Sequence, residues 1–298
     1  MEPVVCTSAD GTPIATYDFG GHGPDLLLVH ATGFCAAVLE PMAAALASSF
    51  HCTALDLRFH GRSGRSPDDY RWERFGDDVL AVVGQLGLDH PYGFGHSCGG
   101  ASLLLAEEAR PGTFAGLCCF EPVVFPGPPR PPTTTGNPLA EGALRRRETF
   151  PSAEHAIDNF AGKPPFSTID RPVLEAYVRC GFDVVPDNEG GDGSMVRLRC
   201  RREDESAVYA HGPSHPAFLR LDRVTCAVSL LCGATTDAFG PDALAADAAH
   251  LAHATVDVLA DLGHFGPLEA PATVAAVVAG RLLAAPTSTD SAPVMPTS

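Results

Sequence analysis

Residues 95–99 read Gly95-His96-Ser97-Cys98-Gly99 and fit the pattern G-x-S-x-G, which lifts a serine hydroxyl onto a tight strand-to-helix turn. The flanking sequence supplies that context. Residues 92–95 read as a short strand and residues 101–109 as a helix of small residues. A serine in such a turn takes a positive φ, where bulky neighbours would collide, and Gly95, Gly99, Gly100 and Ala101 leave room. The free N–H groups at the helix start favour negative charge nearby. The bland alternative is a Gly-rich turn with an incidental serine. The partners supplied by the rest of the chain weigh against it.

A serine hydroxyl is a weak nucleophile and needs a base. Among twelve histidines, His264 stands out because it follows the last expected strand, in Gly263-His264-Phe265-Gly266-Pro267, just before the last helix. Loops at the carboxyl ends of parallel strands are where catalytic groups collect. The third member must orient the imidazole and stabilise its cation. Asp237, in the loop after the strand at residues 226–232, gives the chain order serine, acid, histidine. Glu121, at the end of the strand at residues 114–120, is the alternative acid. His250 and His253 lie three apart on a helix, but no third ligand accompanies them, so no metal is expected.

A tetrahedral intermediate needs two N–H donors near its oxygen. The Cys98 amide supplies one by its place in the turn. The other is expected from the loop Ala31-Thr32-Gly33-Phe34, from Phe34 with Thr32 as the alternative. His30 is read as structural. Phe34 and Phe265 form an apolar wall for substrate, and His96 is placed with them as substrate-binding.

The elements that must position these groups alternate between apolar strands and helices, which argues for an α/β layer fold. A hairpin turns at Asp10-Gly11. Residues 26–30 form a continuous apolar run suited to a strand covered on both faces. Strands follow at residues 52–56, 92–95, 114–120, 226–232 and 255–259. Helices are expected at residues 41–48, 70–86, 101–109, 242–252 and 271 to about 283. The alternation breaks between residues 126 and 221, too long for a plain connection. That stretch is read as an inserted cap of short helical patterns between core segments 1–125 and 222–284. Arg145, Arg146 and Arg147 read as a solvated helix face, although such a run could grip an anion. Residues 186–193 fail the spacing of a calcium loop and read as a solvated turn. The Pro/Ser/Thr-rich residues 285–298 are expected to be disordered.

Composition narrows the function classes. A net charge of −16 repels nucleic-acid phosphates and anionic lipid. No secretory leader and no membrane span is expected. Ten scattered cysteines without a CxxC fit free thiols in the cytoplasm.

The segments LLLVHATGF, LDLRFHGRSG, GFGHSCGG, CGATTDAFGP and LGHFGPLEAP resemble those of the α/β-hydrolase superfamily, in its capped, esterase-like branch. The resemblance covers about residues 4–125 and 222–284. It implies a mostly parallel eight-stranded sheet flanked by helices, and the roles assigned above to Ser97, Asp237 and His264. Three departures stand out. His30-Ala31 replaces the usual His-Gly. Arg58-Phe59-His60-Gly61 replaces Arg-Gly-His-Gly in a loop read as structural. Asp237 lies one residue further past its strand-ending glycine than the family pattern has it, which keeps Glu121 open. Serine at the turn argues against the dehalogenases and epoxide hydrolases of this fold, which carry aspartate there.

The expected activity is hydrolysis of a carboxylic ester through an acyl-enzyme on Ser97, without a cofactor. The substrate is a small molecule with an apolar acyl or alcohol group. Cleavage of a C–C bond, a thioester or a lactone would use the same triad. A protein of this fold that binds a small ligand and signals is the alternative from another class.

Overall fold

A computed structural model describes residues 2–66, 68–186 and 194–284. The expected disordered tail at residues 285–298 and most of the turn at residues 186–193 lie outside the described residues. The chain opens with the hairpin β1 (Val4–Thr7) and β2 (Pro13–Gly21). β3 (Asp25–Val29), α1 (Glu40–Leu46), β4 (His51–Leu55), α2 (Glu73–Leu86), β5 (Tyr92–His96), α3 (Cys98–Ala109) and β6 (Gly116–Phe120) follow. After a long insertion come β10 (Ala227–Gly233), α8 (Pro241–Ala248), β11 (Ala254–Leu259), α9 (Gly266–Glu269) and α10 (Pro271–Ala284).

The main sheet has eight strands in the order β1-β2-β4-β3-β5-β6-β10-β11. Only the β1–β2 and β2–β4 pairings are antiparallel. β3 shows why its run reads apolar throughout. Leu26 and Leu28 enter one core with residues of α1 and α10, while Leu27 and Val29 enter the other with residues of α2 and α3. All four are fully buried, each worth about 1.5–3 kcal/mol. Strand ends set the site: His30, Ser97, Glu121 and the loop carrying His264 all follow the carboxyl ends of parallel strands.

The insertion holds α4 (Pro138–Leu144), α5 (Ala153–Ala161), α6 (Arg171–Gly181) and α7 (Arg202–His211), in keeping with the short helical patterns. It also holds a three-stranded antiparallel sheet that the pattern did not signal, in the order β7 (Thr149–Phe150), β9 (Ser194–Leu198), β8 (Phe182–Pro186). Strands of two to five residues are too short to show an alternation. Phe150, Phe160, Tyr177 and Phe182 of the insertion share one apolar core with α1 and α10.

The loop after β4 braces the site. Arg58 is fully buried and forms two hydrogen bonds to Asp78, 2.7 and 2.6 Å, and two to Asp10, 3.0 and 3.5 Å. This ties α2 to the hairpin turn. Two buried histidines then link β4 to the loop after β3. His30 Nδ1 donates to the Ala31 carbonyl, and Nε2 accepts from the Leu57 amide. His60 Nδ1 donates to the Arg58 carbonyl, and Nε2 accepts from the Gly33 amide at 2.9 Å. Both rings must be neutral to accept. Burial pushes His30 down to about 4; burial, helped by the nearby His30, pushes His60 down to about 3.

A histidine whose folded value is depressed stabilises fully above its unfolded value near 6.5 and loses that contribution as pH falls toward the folded value. Urea unfolding of wild type and His60→Gln should therefore show a stability difference that shrinks by about 2 kcal/mol between about pH 7 and pH 5. A pH-independent difference would mean that His60 is not held neutral.

Candidate active site

Ser97 sits between β5 and α3 with φ 55° and ψ −114°. The turn survives because its flanks lack side chains. A Cβ on Gly99 would lie 2.2 Å from the Val29 carbonyl oxygen, and one on Gly95 would lie 2.5 Å from the backbone of Gly99 and Gly100. The Ser97 amide donates to the Phe120 carbonyl at 2.9 Å, and its carbonyl accepts from Ala101 and Val123. The side chain keeps a narrow opening, 8% exposed.

His264 follows β11, and its Nδ1 lies 2.7 Å from Glu121 Oε2. Glu121 is fully buried. Its Oε1 accepts from the Gly233 amide at 3.0 Å, and its Oε2 also accepts from the Thr236 hydroxyl at 2.7 Å. Burial alone would raise this carboxyl; the bonds from His264, Gly233 and Thr236 outweigh it and hold Glu121 below the ordinary carboxylate range. Glu121 is thus an ionised carboxylate on the imidazole. Asp237 is exposed and has no side-chain partner among the described residues. This corrects the expectation that Asp237 orients His264. The loop after β10 lends Glu121 two donors instead of delivering an acid of its own.

His96 also differs from expectation. It is 1% exposed and donates from Nε2 to the His264 carbonyl at 2.9 Å. Burial, with His264 close by, holds it well below the usual histidine range. It therefore anchors the backbone of His264 and is not among the residues that line the cavity with Phe34 and Phe265. The Cys98 thiol is buried, and its value is pushed up to about 12 by burial. Only its amide is available to the site.

The loop after β3, where the oxyanion donors are expected, is held from both sides. The Gly33 amide is taken by His60, and the Gly33 carbonyl accepts from the Tyr177 hydroxyl at 3.0 Å. Tyr177 in turn accepts from Arg146 at 2.6 Å, and Arg146 pairs with Glu205 at 2.5 Å. Gly33 has φ 84°, a conformation that favours glycine, and a Cβ there would lie 2.7 Å from Glu205 Oε1, so the Glu205 side chain would have to shift. The Phe34 amide turns back to the Ala31 carbonyl at 3.3 Å. Phe34, expected as the second donor, therefore has its amide occupied, and the Thr32 amide has no acceptor among the described residues.

A cavity of about 610 Å³ opens against this loop. Thr32, Gly33, Phe34 and Phe265 line it from the core, and α4, α5 and the segments after them line it from the insertion. Phe34 and Phe265 thus stand where an apolar wall was expected, their ring centroids 5.9 Å apart. Arg146 is also in the lining, half-enclosed and ion-paired, not on a solvated helix face. The bracing set of His60, Tyr177, Arg146 and Glu205 was not read as part of the site. His60 lay in a recognisable motif, but Tyr177 and Glu205 carried no signal.

Fold and site together define the class. The alpha/beta hydrolase family model matches residues 26–277, and the chain belongs to that family. It is 31% identical over 91 residues to a 2-(acetamidomethylene)succinate hydrolase of Mesorhizobium japonicum, covering 30% of this chain and 33% of that protein. It is 32% identical over 122 residues to an N-formylmaleamate deformylase of Pseudomonas putida, covering 40% and 46%. The chain thus matches less than half the length of these curated relatives. The crystal structure of an E-2-(acetamidomethylene)succinate hydrolase superposes with TM-score 0.75 at 19% identity, over 93% of this chain and 98% of that one.

Two substitutions separate the alternatives in this site. Glu121→Gln should lower hydrolytic turnover by about 10³-fold or more, and Asp237→Asn by less than about threefold; the reverse order would return the acid to the loop after β10. Tyr177→Phe should lower kcat about tenfold, the worth of one hydrogen bond that positions the oxyanion loop. An unchanged kcat with a lowered melting temperature would make Tyr177 a packing residue only.

Proposed function

We propose that the chain is a serine hydrolase that cleaves a carboxylic ester of a small molecule through an acyl-enzyme on Ser97. The observation that carries this reading is the contact between His264 and the buried Glu121, 2.7 Å apart, together with a serine held at positive φ directly after His96, whose ring bonds to the His264 carbonyl. His264 takes the Ser97 proton as the hydroxyl attacks the acyl carbon. Glu121 holds the imidazole with its Nδ1 protonated and stabilises the cation that forms. The Thr32 and Cys98 amides receive the developing oxyanion, aided by the amino terminus of the twelve-residue α3. His264 then protonates the leaving group, and water attacks the acyl-enzyme by the reverse route.

Residues 126–221 act as a cap over this site, and their aromatic side chains favour an apolar substrate body. A second reading is amide cleavage, favoured by the name of one relative, a deformylase of N-formylmaleamate. Removal of that formyl group breaks an acyl–nitrogen bond, which needs the same nucleophile and a protonated leaving nitrogen. Thioester, lactone and C–C hydrolysis share the triad but have no separate observation behind them. Among the described residues no helix is long and apolar enough to cross a membrane. All ten cysteines are free, which supports a reducing compartment such as the cytoplasm.

A fluorophosphonate should label the wild-type protein covalently, and Ser97→Ala should abolish labelling while leaving the melting temperature within a few degrees. Absence of labelling in well-folded wild type would defeat the enzyme reading in favour of a ligand-binding protein.

A further inference from the structure

The cavity beside the oxyanion loop has a charge opposite to that of the chain around it. The sequence carries 36 acidic and 20 basic side chains. Four of the basic ones, Arg145, Arg146, Arg147 and Lys163, line this cavity, against a single carboxylate, Glu205. Lys163 is the only lysine in the chain. Arg146 is neutralised by Glu205, and Arg145 has Glu141 at 3.8 Å. Two cations remain without a carboxylate among the described residues. Arg147 donates from Nε to the Thr149 carbonyl, and its guanidinium lies 4.6 Å from the centre of the Phe150 ring. These contacts fix its plane, and its outer N–H groups have no hydrogen-bond partner among the described residues. Lys163 donates to the neutral Asn159 side chain.

Phe34, Phe150, Phe160 and Phe166 line the same space. Apolar walls reduce local screening, so a cation at their rim attracts an anion more strongly than one on open surface. The Arg guanidinium offers a planar pair of donors suited to a carboxylate. We propose that this cavity selects substrates that carry a carboxylate away from the reacting acyl carbon, held by Arg147 and Lys163, with the carbon chain between the two ends lying on the phenylalanine walls. This proposal rests on Ser97 being the nucleophile, and its test is built to separate the two failures.

Two alkyl fluorophosphonates of equal chain length are compared, one ending in a methyl group and one in a carboxylate, with the rate of Ser97 phosphonylation as the readout. The carboxylate reagent should react at least about tenfold faster at low ionic strength, the combined effect of two partly screened charges. In about 0.5 M NaCl that advantage should fall severalfold. It should vanish in Arg147→Glu/Lys163→Glu, whose folding is checked by melting temperature, and persist in Lys163→Arg. Equal or faster labelling by the methyl reagent in wild type would overturn the charge selection while leaving the serine in place. An advantage unchanged in the double variant would overturn the assignment to Arg147 and Lys163. Failure of both reagents to label folded protein would instead remove the nucleophile itself.

Discussion

The site depends on a backbone turn that an ordinary sequence would not make. Ser97 is held at φ 55°, a conformation that costs a non-glycine residue on the order of 1–3 kcal/mol. Contacts on three sides hold it there. Gly99 presses against the end of β3, Gly95 against the first turn of α3, and the Ser97 amide bonds to the last residue of β6. Glu121, the next residue after that partner, also has a positive φ, 45°. Two neighbouring strands are therefore each followed by a residue of positive φ, and two hydrogen bonds join their ends, from the Ser97 amide to the Phe120 carbonyl and from the Val123 amide to the Ser97 carbonyl. One turn lifts the serine and the other lifts the carboxylate.

Histidines do three different jobs around this turn, and environment alone separates them. His30 and His60 are buried among backbone groups, where each donates from one nitrogen and accepts at the other. Burial holds them neutral, so they act as rigid hydrogen-bond struts. His96 is equally buried and spends a proton on the carbonyl of His264. His264 alone faces an ionised carboxylate, and its ring is 17% exposed. A neighbouring carboxylate and partial exposure set this ring apart from the three enclosed ones.

The insertion does more than roof the cavity. Through Tyr177 it grips the carbonyl of Gly33 while the core grips the amide of the same residue. Both polar groups of Gly33 are thereby held, one from each side. Arg146 and Glu205 support Tyr177 from behind. The geometry of the oxyanion loop is thus shared between two parts of the chain that are far apart in sequence.

Sequence alone determined the layer fold, the strand ends, the elbow serine and the histidine. These features rest on short-range constraints: apolar runs, turn residues and glycines whose missing side chains are demanded locally. Even the departure of Asp237 from the usual spacing was legible, and it marked where the uncertainty lay. Which carboxylate meets His264 was settled only in three dimensions, because Glu121 and Asp237 follow adjacent strands, β6 and β10, and differ in which way one turn points. The same holds for the small sheet in the insertion and for the gathering of Arg147 and Lys163 on one cavity. Each depends on the direction of a backbone group or side chain relative to distant residues, and no local pattern encodes that direction.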